Sequence, residues 1–353
     1  MKNITLIVIL IILLVADIFL GYSLIFPSLK NVSLENKIEI QKEAGQEKGN
    51  PLPENEEISS LKIVLVGDIM LDRGVKDKIE KEGNGDYKFP FLKIAPYLQK
   101  VDVVFGNLEG PITSDGQRVG SEYSFRDDPK CIEGLKYAHF NVLSLANNHI
   151  LDYGQQGLVD TISILKESGI LYVGAGMNLK DTFSLKIKEI GGVKIGFLAF
   201  TEFGSKYWWP KENSPGVAYL PERNFRYAKG EIEEAKKKVD ILIVSLHAGE
   251  EYSNTPTDFQ KKFSKMAIEA GADIVVGHHP HAIQSIERYK TGWIDYSLGN
   301  FIFDQFFSEE TMKGEILEVK VDKKTKKIKA VEGREFKINK SYQPYFENLT
   351  FKN

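Results

Sequence analysis

A layered α/β domain standing behind a single apolar anchor is the expectation for this chain, and three observations carry it. Short β-branched runs recur along the sequence and alternate with amphipathic helical stretches, the pattern of sheets covered by helices. The 353 residues, 42% apolar and 27% charged, suffice for a large core of ordinary globular composition. One stretch near the start, residues 4–26, is far more apolar than anything after it.

That stretch, "ITLIVILIILLVADIFLGYSLIF", is broken only by Asp17 and a few small polar residues. It is long enough to cross a hydrocarbon core of about 30 Å as a helix. A cleaved signal peptide has a shorter apolar region ending in a small-residue site. No such site follows here, so residues 1–29 are expected to form an uncleaved, single-pass anchor in the cell membrane, with the domain extracytoplasmic. Residues 30–60 are polar, charged and poor in aromatics, with Pro51 and Pro53 near the end, and read as a flexible stalk. Order is expected from "LKIVLVGDIML", giving a domain over 61–353.

Within that domain buried strands are expected in 101–110, 140–154, 193–203, 239–251, 272–281 and 293–303. "GQQGLVDTISILKESG" and "PTDFQKKFSKMAIEAGA" have helical apolar spacing. "GEILEVKVDKKTKKIKAVEGREFKI" alternates about a lysine-rich turn, as a β-hairpin does. The net charge of −3, with lysines interleaved among glutamates, gives no reason to expect a nucleic-acid partner. Cys131 is the one cysteine, which excludes an internal disulfide and thiolate-rich metal sites.

The informative feature is what stands at the strand ends, where open α/β sheets gather their ligands. Asp68 ends the first run, Asn107 and Glu109 the second, and Asn147, Asn148 and His149 the third. His247 follows, then His278, His279 and His281, and finally Asn300. Each alone reads equally well as a turn or cap; a fold that brings all of them to one edge makes a site. Carboxylate, amide oxygen and imidazole form a hard-to-borderline ligand set suited to Zn, Mn, Fe or Mg. The number of such residues is enough for one or two divalent ions. Proline between His279 and His281 stiffens a segment able to offer two imidazoles to one centre.

In order, "GDIML", "GNLEGPIT", "SLANNHILDYG", "SLHAGEEY", "GADIVVGHHPH" and "YSLGNFIFDQ" resemble the capsule-synthesis CapA family, over about residues 61–305. Its members are bacterial proteins linked to poly-γ-glutamate capsule. The resemblance implies a calcineurin-like metallophosphoesterase fold, a β-sandwich flanked by helices. It also implies metal ligands at Asp68, Glu109, Asn148, His247, His279 and His281, with His149 near the leaving group as general acid. Met70 stands where that superfamily usually has a histidine, and "GNLEG" replaces its Gly-Asp block, so the resemblance leaves Glu109, or in its place Asn107, to supply the bridging oxygen. The "GHHPH" block admits a register with His278 in place of its neighbour. Asn107, Arg126, His278 and Asn300 are placed as substrate-facing.

Two functions are consistent with these expectations. One is a metal-dependent hydrolase, cleaving a phosphoester or an amide, that acts in capsule or poly-γ-glutamate synthesis or on another envelope polymer. The other is a non-catalytic, membrane-anchored component that binds or exports the polymer. Either implies an anionic polymer or phosphorylated envelope substrate, and other capsule-synthesis membrane proteins as partners. Among secondary features, the aromatic loop 201–220 reads equally as a lid or as packing. Arg126 can meet an anion or be occupied by Asp127 and Asp128. Asp152 and Tyr153 are expected to cap and orient the turn after His149, and His139 to be structural.

Overall fold

A computed structural model gives the structure of residues 59–119 and 122–347. The expected anchor and nearly all of the stalk lie outside these described residues. Among the described residues no helix is long and apolar enough to cross a membrane.

The first strand, β1 (Ser60–Ile69), starts where the apolar run does, and α1 (Arg73–Lys81) and the short α2 (Ala95–Leu98) lead to β2 (Val103–Leu108). Then come α3 (Cys131–Tyr137), β3 (Phe140–Ser144), α4 (Gly154–Glu167), β4 (Leu171–Val173), β5 (Ala175–Gly176), α5 (Leu179–Thr182), β6 (Lys186–Ile190), β7 (Val193–Thr201) and β8 (Gly216–Val217). The remainder is α6 (Phe225–Lys236), β9 (Ile241–His247), α7 (Asp258–Glu269), β10 (Ile274–His278), β11 (Ile286–Tyr289), β12 (Gly292–Asp295), β13 (Asn300–Ile302), β14 (Lys313–Asp322), β15 (Lys327–Ile338) and β16 (Pro344–Tyr345). Each expected strand is present. The 293–303 run, however, is split into β12 and β13 by Tyr296–Gly299. That break lets the chain leave one sheet and join the other.

One sheet has the order β16-β15-β14-β1-β2-β3-β4, with β13 also paired to β1; the second has the order β11-β12-β10-β9-β7-β6. β1 to β4 run parallel, as do β7, β9, β10 and β12, while β14 and β15 form the expected antiparallel hairpin. In its turn Asp322 Oδ1 accepts the amides of Lys324 and Thr325.

The two sheets face each other. Phe105 of β2 stacks on Phe197 of β7 with ring centroids 5.8 Å apart, within a core that also takes Ile63, Ile195, Ile243 and Val276. Alternate residues of the second sheet point the other way. Leu198, Phe200, Val244 and Val275 pack under Ile232 and Ala235 of α6 and Phe263 and Ala267 of α7. Val75, Leu135, Leu158 and Ile162 bring α1, α3 and α4 onto the first sheet's core. Period-two alternation on both sheets, with helices carrying one apolar stripe, produces this layering. α7 begins with a capping box, Thr257 receiving the Gln260 amide (3.3 Å) and Gln260 Oε1 the Thr257 amide (2.8 Å).

Candidate metal centre

Strand register delivers the site. Parallel pairing sets Asp68 of β1 beside Asn107 of β2 and Asn300 of β13, so three polar residues share the carboxyl edge of the first sheet. On the second sheet His278 pairs with His247, and His247 with Thr201. The two edges meet. Gly67 allows it on one side: a Cβ there would lie 1.9 Å from Gly299 O.

Asp68, Asn107, Glu109, His247, His278, His279, His281 and Asn300 are all buried, and Asn148 and His149 close the cluster toward solvent. Asn107 is its hub. Its Nδ2 donates to Asp68 Oδ1 (2.8 Å) and approaches Glu109 Oε2 and His247 Nδ1 (3.3 Å each), while its Oδ1 accepts Asn147 Nδ2 (3.2 Å). Asn147 pins the turn, its Oδ1 receiving the amides of His149 and Ile150. Asn148 Oδ1 lies 2.7 Å from His247 Nε2. The His-Pro-His turn bends through positive φ at His279 (97°) and His281 (54°). In this conformation the His279 amide reaches Asp68 Oδ2 (3.1 Å) and His281 Nδ1 meets Asn300 Oδ1 (2.8 Å).

Among the described residues three groupings each hold their ligand atoms within 4.8 Å of one another: Asp68, Glu109 and His281; Glu109, His247 and His279; and Glu251, His279 and His281. Glu109 belongs to two of them, the position a bridging carboxylate occupies. Its Oε1 is buried with no hydrogen-bond partner among the described residues, as are His279 Nδ1 and both ring nitrogens of His278. His281 Nε2 stands 3.6 Å and His149 Nε2 3.9 Å from that oxygen. An unpaired buried carboxylate is costly, and a divalent cation satisfies it. The donor set therefore fits a metal ion.

The electrostatics agree with that fit. Burial drives His247 well below its ordinary value and His279 down to about 3, in each case helped by neighbouring imidazoles. Burial also lowers His281, against the pull of Asp68. Neutral imidazoles are the ligand form. Burial, then the charges of Asp68, Glu251 and Asp152, push Glu109 well up. Burial would raise Asp68 as well, but the His278 and His281 rings, each 3.4 Å away, and the Asn107 amide hold it below the usual range.

His149 is presented differently. Its Nδ1 lies 2.8 Å from Asp152 Oδ2, which also accepts the Phe125 amide (2.8 Å), and its ring packs 4.0 Å from Phe125. Asp152 thus orients His149, while the turn itself is held by Asn147, and Tyr153, at the N-cap of α4, makes no side-chain cap hydrogen bond. His149 and Asn148 lie between two cavities. One, of about 600 Å³, is lined by Arg73, Glu251, Tyr252, His281, Asp304 and Phe307 among others. The other, of about 360 Å³, is lined by Asp152, Gln155, Tyr207 and Trp208.

Some residues fall elsewhere. Arg126 is exposed and lines neither cavity; its guanidinium lies 4.8 Å from the Tyr153 ring. Asp127 is turned inward to accept the Leu71 amide instead. Met70 is fully buried and its sulfur accepts the Asp72 amide. His139 follows α3, its amide bonded to Lys136 O, away from the cluster. The 201–220 loop divides: Trp209 packs on Phe183 and Tyr227, whereas the Phe203 ring packs at a tilt 4.1 Å from that of His279 and Tyr207 and Trp208 face the smaller cavity. Sequence reasoning missed Glu251 and Arg73. The double acid directly after the strand-end histidine in "HAGEEY" is the signal that points to Glu251. Arg73 is ion-paired with Asp304 and carries no motif.

The family model described as "Bacterial capsule synthesis protein PGA_cap" matches residues 62–305. The capsule biosynthesis protein CapA of Bacillus anthracis is 38% identical over 257 residues, covering 71% of this chain and 61% of that protein. The PGA biosynthesis protein CapA of Bacillus subtilis is 39% identical over 244 residues, covering 68% and 63%. The chain therefore spans less than two thirds of the length of these two relatives. Among solved structures, a phosphatase from Mycoplasma pneumoniae aligns with a TM-score of 0.47 at 17% identity, over 78% of this chain and 93% of that one. A likeness at that level is too faint to carry more.

Proposed function

The chain belongs to the bacterial capsule synthesis family PGA_cap, and from that membership we propose a membrane-anchored, extracytoplasmic, metal-dependent hydrolase acting in capsule or poly-γ-glutamate synthesis or export. One observation carries the hydrolase reading: a buried, unpartnered carboxylate oxygen of Glu109 shared by two ligand groupings, beside a histidine oriented at the mouth. Asp68, Glu109, Asn148, His247, His279 and His281 would hold one or two divalent ions. When bound, such an ion supplies Lewis-acid activation of water and of the scissile group's oxygen. Asp152 fixes His149 through Nδ1, leaving Nε2 to deliver a proton to the leaving group. Phe203 and Phe125 shield the imidazoles of His279 and His149 from bulk water. An anionic polymer or a phosphorylated envelope substrate would lie along the two cavities, and other capsule-synthesis membrane proteins would work beside the anchor.

A second reading, a non-catalytic polymer-binding or export component, is favoured by Met70. Its burial leaves the centre one imidazole short of the usual dinuclear set. The deciding experiment is elemental analysis of the purified protein beside a His279→Ala, His281→Ala variant, followed by a phosphoester and amide substrate screen. Transition metal lost in the variant, with turnover in the parent, supports the hydrolase. Metal without turnover favours the binding component, and no metal in either protein overturns the metal centre.

A further inference from the structure

The three ligand groupings are not equivalent. Two share Glu109 and are made only of buried residues; the third joins His279 and His281 to Glu251, which is exposed and lines the larger cavity. The backbone around Glu251 is nevertheless fixed. The Ala248 amide donates to His278 O (3.1 Å), the Gly249 amide to Glu202 Oε2 (3.2 Å) and the Tyr252 amide to Pro280 O (2.7 Å). Gly249 adopts φ +116°, and a Cβ there would lie 2.6 Å from Gln260 Oε1. Gln260 is held in turn, its Nε2 donating to Gln284 Oε1 (2.9 Å) and Tyr296 O (3.0 Å). The segment carrying Glu251 is thus stitched to the same turn that presents the two histidines.

The buried side of the centre leaves room for another ligand. The Asp68, Glu109 and His281 grouping contains a single imidazole, and Met70 is committed to the core. His279, 5% exposed, keeps Nδ1 without a partner within the grouping that contains Glu251. We infer that Glu251 is a metal ligand, adding a third carboxylate to the centre from the solvent side. This rests on the metal-centre reading above. Hard divalent ions favour such oxygen-rich coordination, and a carboxylate at the open face is the ligand an incoming substrate oxygen would displace.

The test is titration of the full chain, stripped with chelator, with Mn²⁺ by calorimetry and with Co²⁺ by visible absorption. Glu251→Gln should weaken binding about tenfold or more and alter the cobalt spectrum. Glu251→Asp should recover part of both, and Glu250→Gln, at the neighbouring exposed glutamate, should leave both unchanged. Affinity and spectrum identical between Glu251→Gln and the parent, while His279→Ala, His281→Ala loses the metal, would overturn the inference alone. A parent that binds neither ion would overturn the metal centre, and the inference with it.

Discussion

Asp68 and Glu109 at the sheet edges, and Asp295 and Glu315 farther along the chain, are two pairs of buried acids in opposite company. In each pair burial, followed by the charge of a neighbouring carboxylate, pushes one member well up: Glu109 in the first, Asp295 in the second. Each pair also has buried oxygens without donors among the described residues, Glu109 Oε1 in one and Asp295 Oδ2 and Glu315 Oε1 in the other. The difference lies in what surrounds them. His278 and His281 stand 3.4 Å from Asp68, and His281 and His149 ring Glu109 at 3.6 and 3.9 Å. Asp295 accepts the Ser297 amide at 3.2 Å and otherwise faces Glu315. Imidazoles and carboxylates together suit a cation; two carboxyls alone need only a proton.

The largest effect expected from this contrast is at Glu109. Glu109→Gln removes the oxygen shared by two ligand groupings, so metal content by elemental analysis should fall to background, and any turnover with it. The same change removes the cost of burying an ionisable acid beside Asp68. In chelator the variant should therefore be more stable than the parent, by about 1–3 kcal/mol in denaturant titration. A variant that keeps its metal would refute Glu109 as a bridging ligand.

Next in size is His149. His149→Ala should lower turnover by about 10²–10⁴-fold while leaving bound metal nearly unchanged. Loss of metal as well would make His149 a ligand. Asp152→Asn should produce a smaller fall in turnover and shift its pH profile, because the amide no longer fixes the Nδ1 proton.

Much of this arrangement was readable before any fold was known. Polar residues that interrupt apolar runs at strand ends must face something other than the core, which is why Asp68, Glu109, His247 and the His-Pro-His turn stood out. The β14–β15 hairpin announced itself by strict alternation about a lysine-rich turn. What stayed hidden depends on contacts between distant segments. Arg73 is occupied by Asp304, 231 residues away, and Glu251 is brought in by a loop sewn to Pro280. Arg126 looked available to an anion, yet the fold lays it on Tyr153. No local pattern distinguishes a buried acid awaiting metal from one sharing a proton, because Asp295 and Glu315 meet only after the Tyr296–Gly299 crossing carries the chain between sheets.

The smallest effect is at that second pair, and it is one of pH. Burial, then the charge of Glu315, raises Asp295 well above the usual range, while burial raises Glu315 against the lowering contact with Asp295. A group that holds its proton more tightly folded than unfolded contributes stability that is whole below the unfolded value, about pH 4. That contribution is lost as pH rises through the raised, folded value. Asp295→Asn replaces the shared proton with an amide that donates to Glu315 at any pH. In denaturant titrations with chelator present, the variant should match the parent near pH 4.5 and exceed it by about 1–2 kcal/mol at pH 8. Metal content should be unchanged, since the pair lies outside the ligand groupings. A difference that is the same at both pH values would mean Asp295 is ionised in the fold. A loss of metal would mean that the two acidic pairs, here distinguished by their neighbours, work as one.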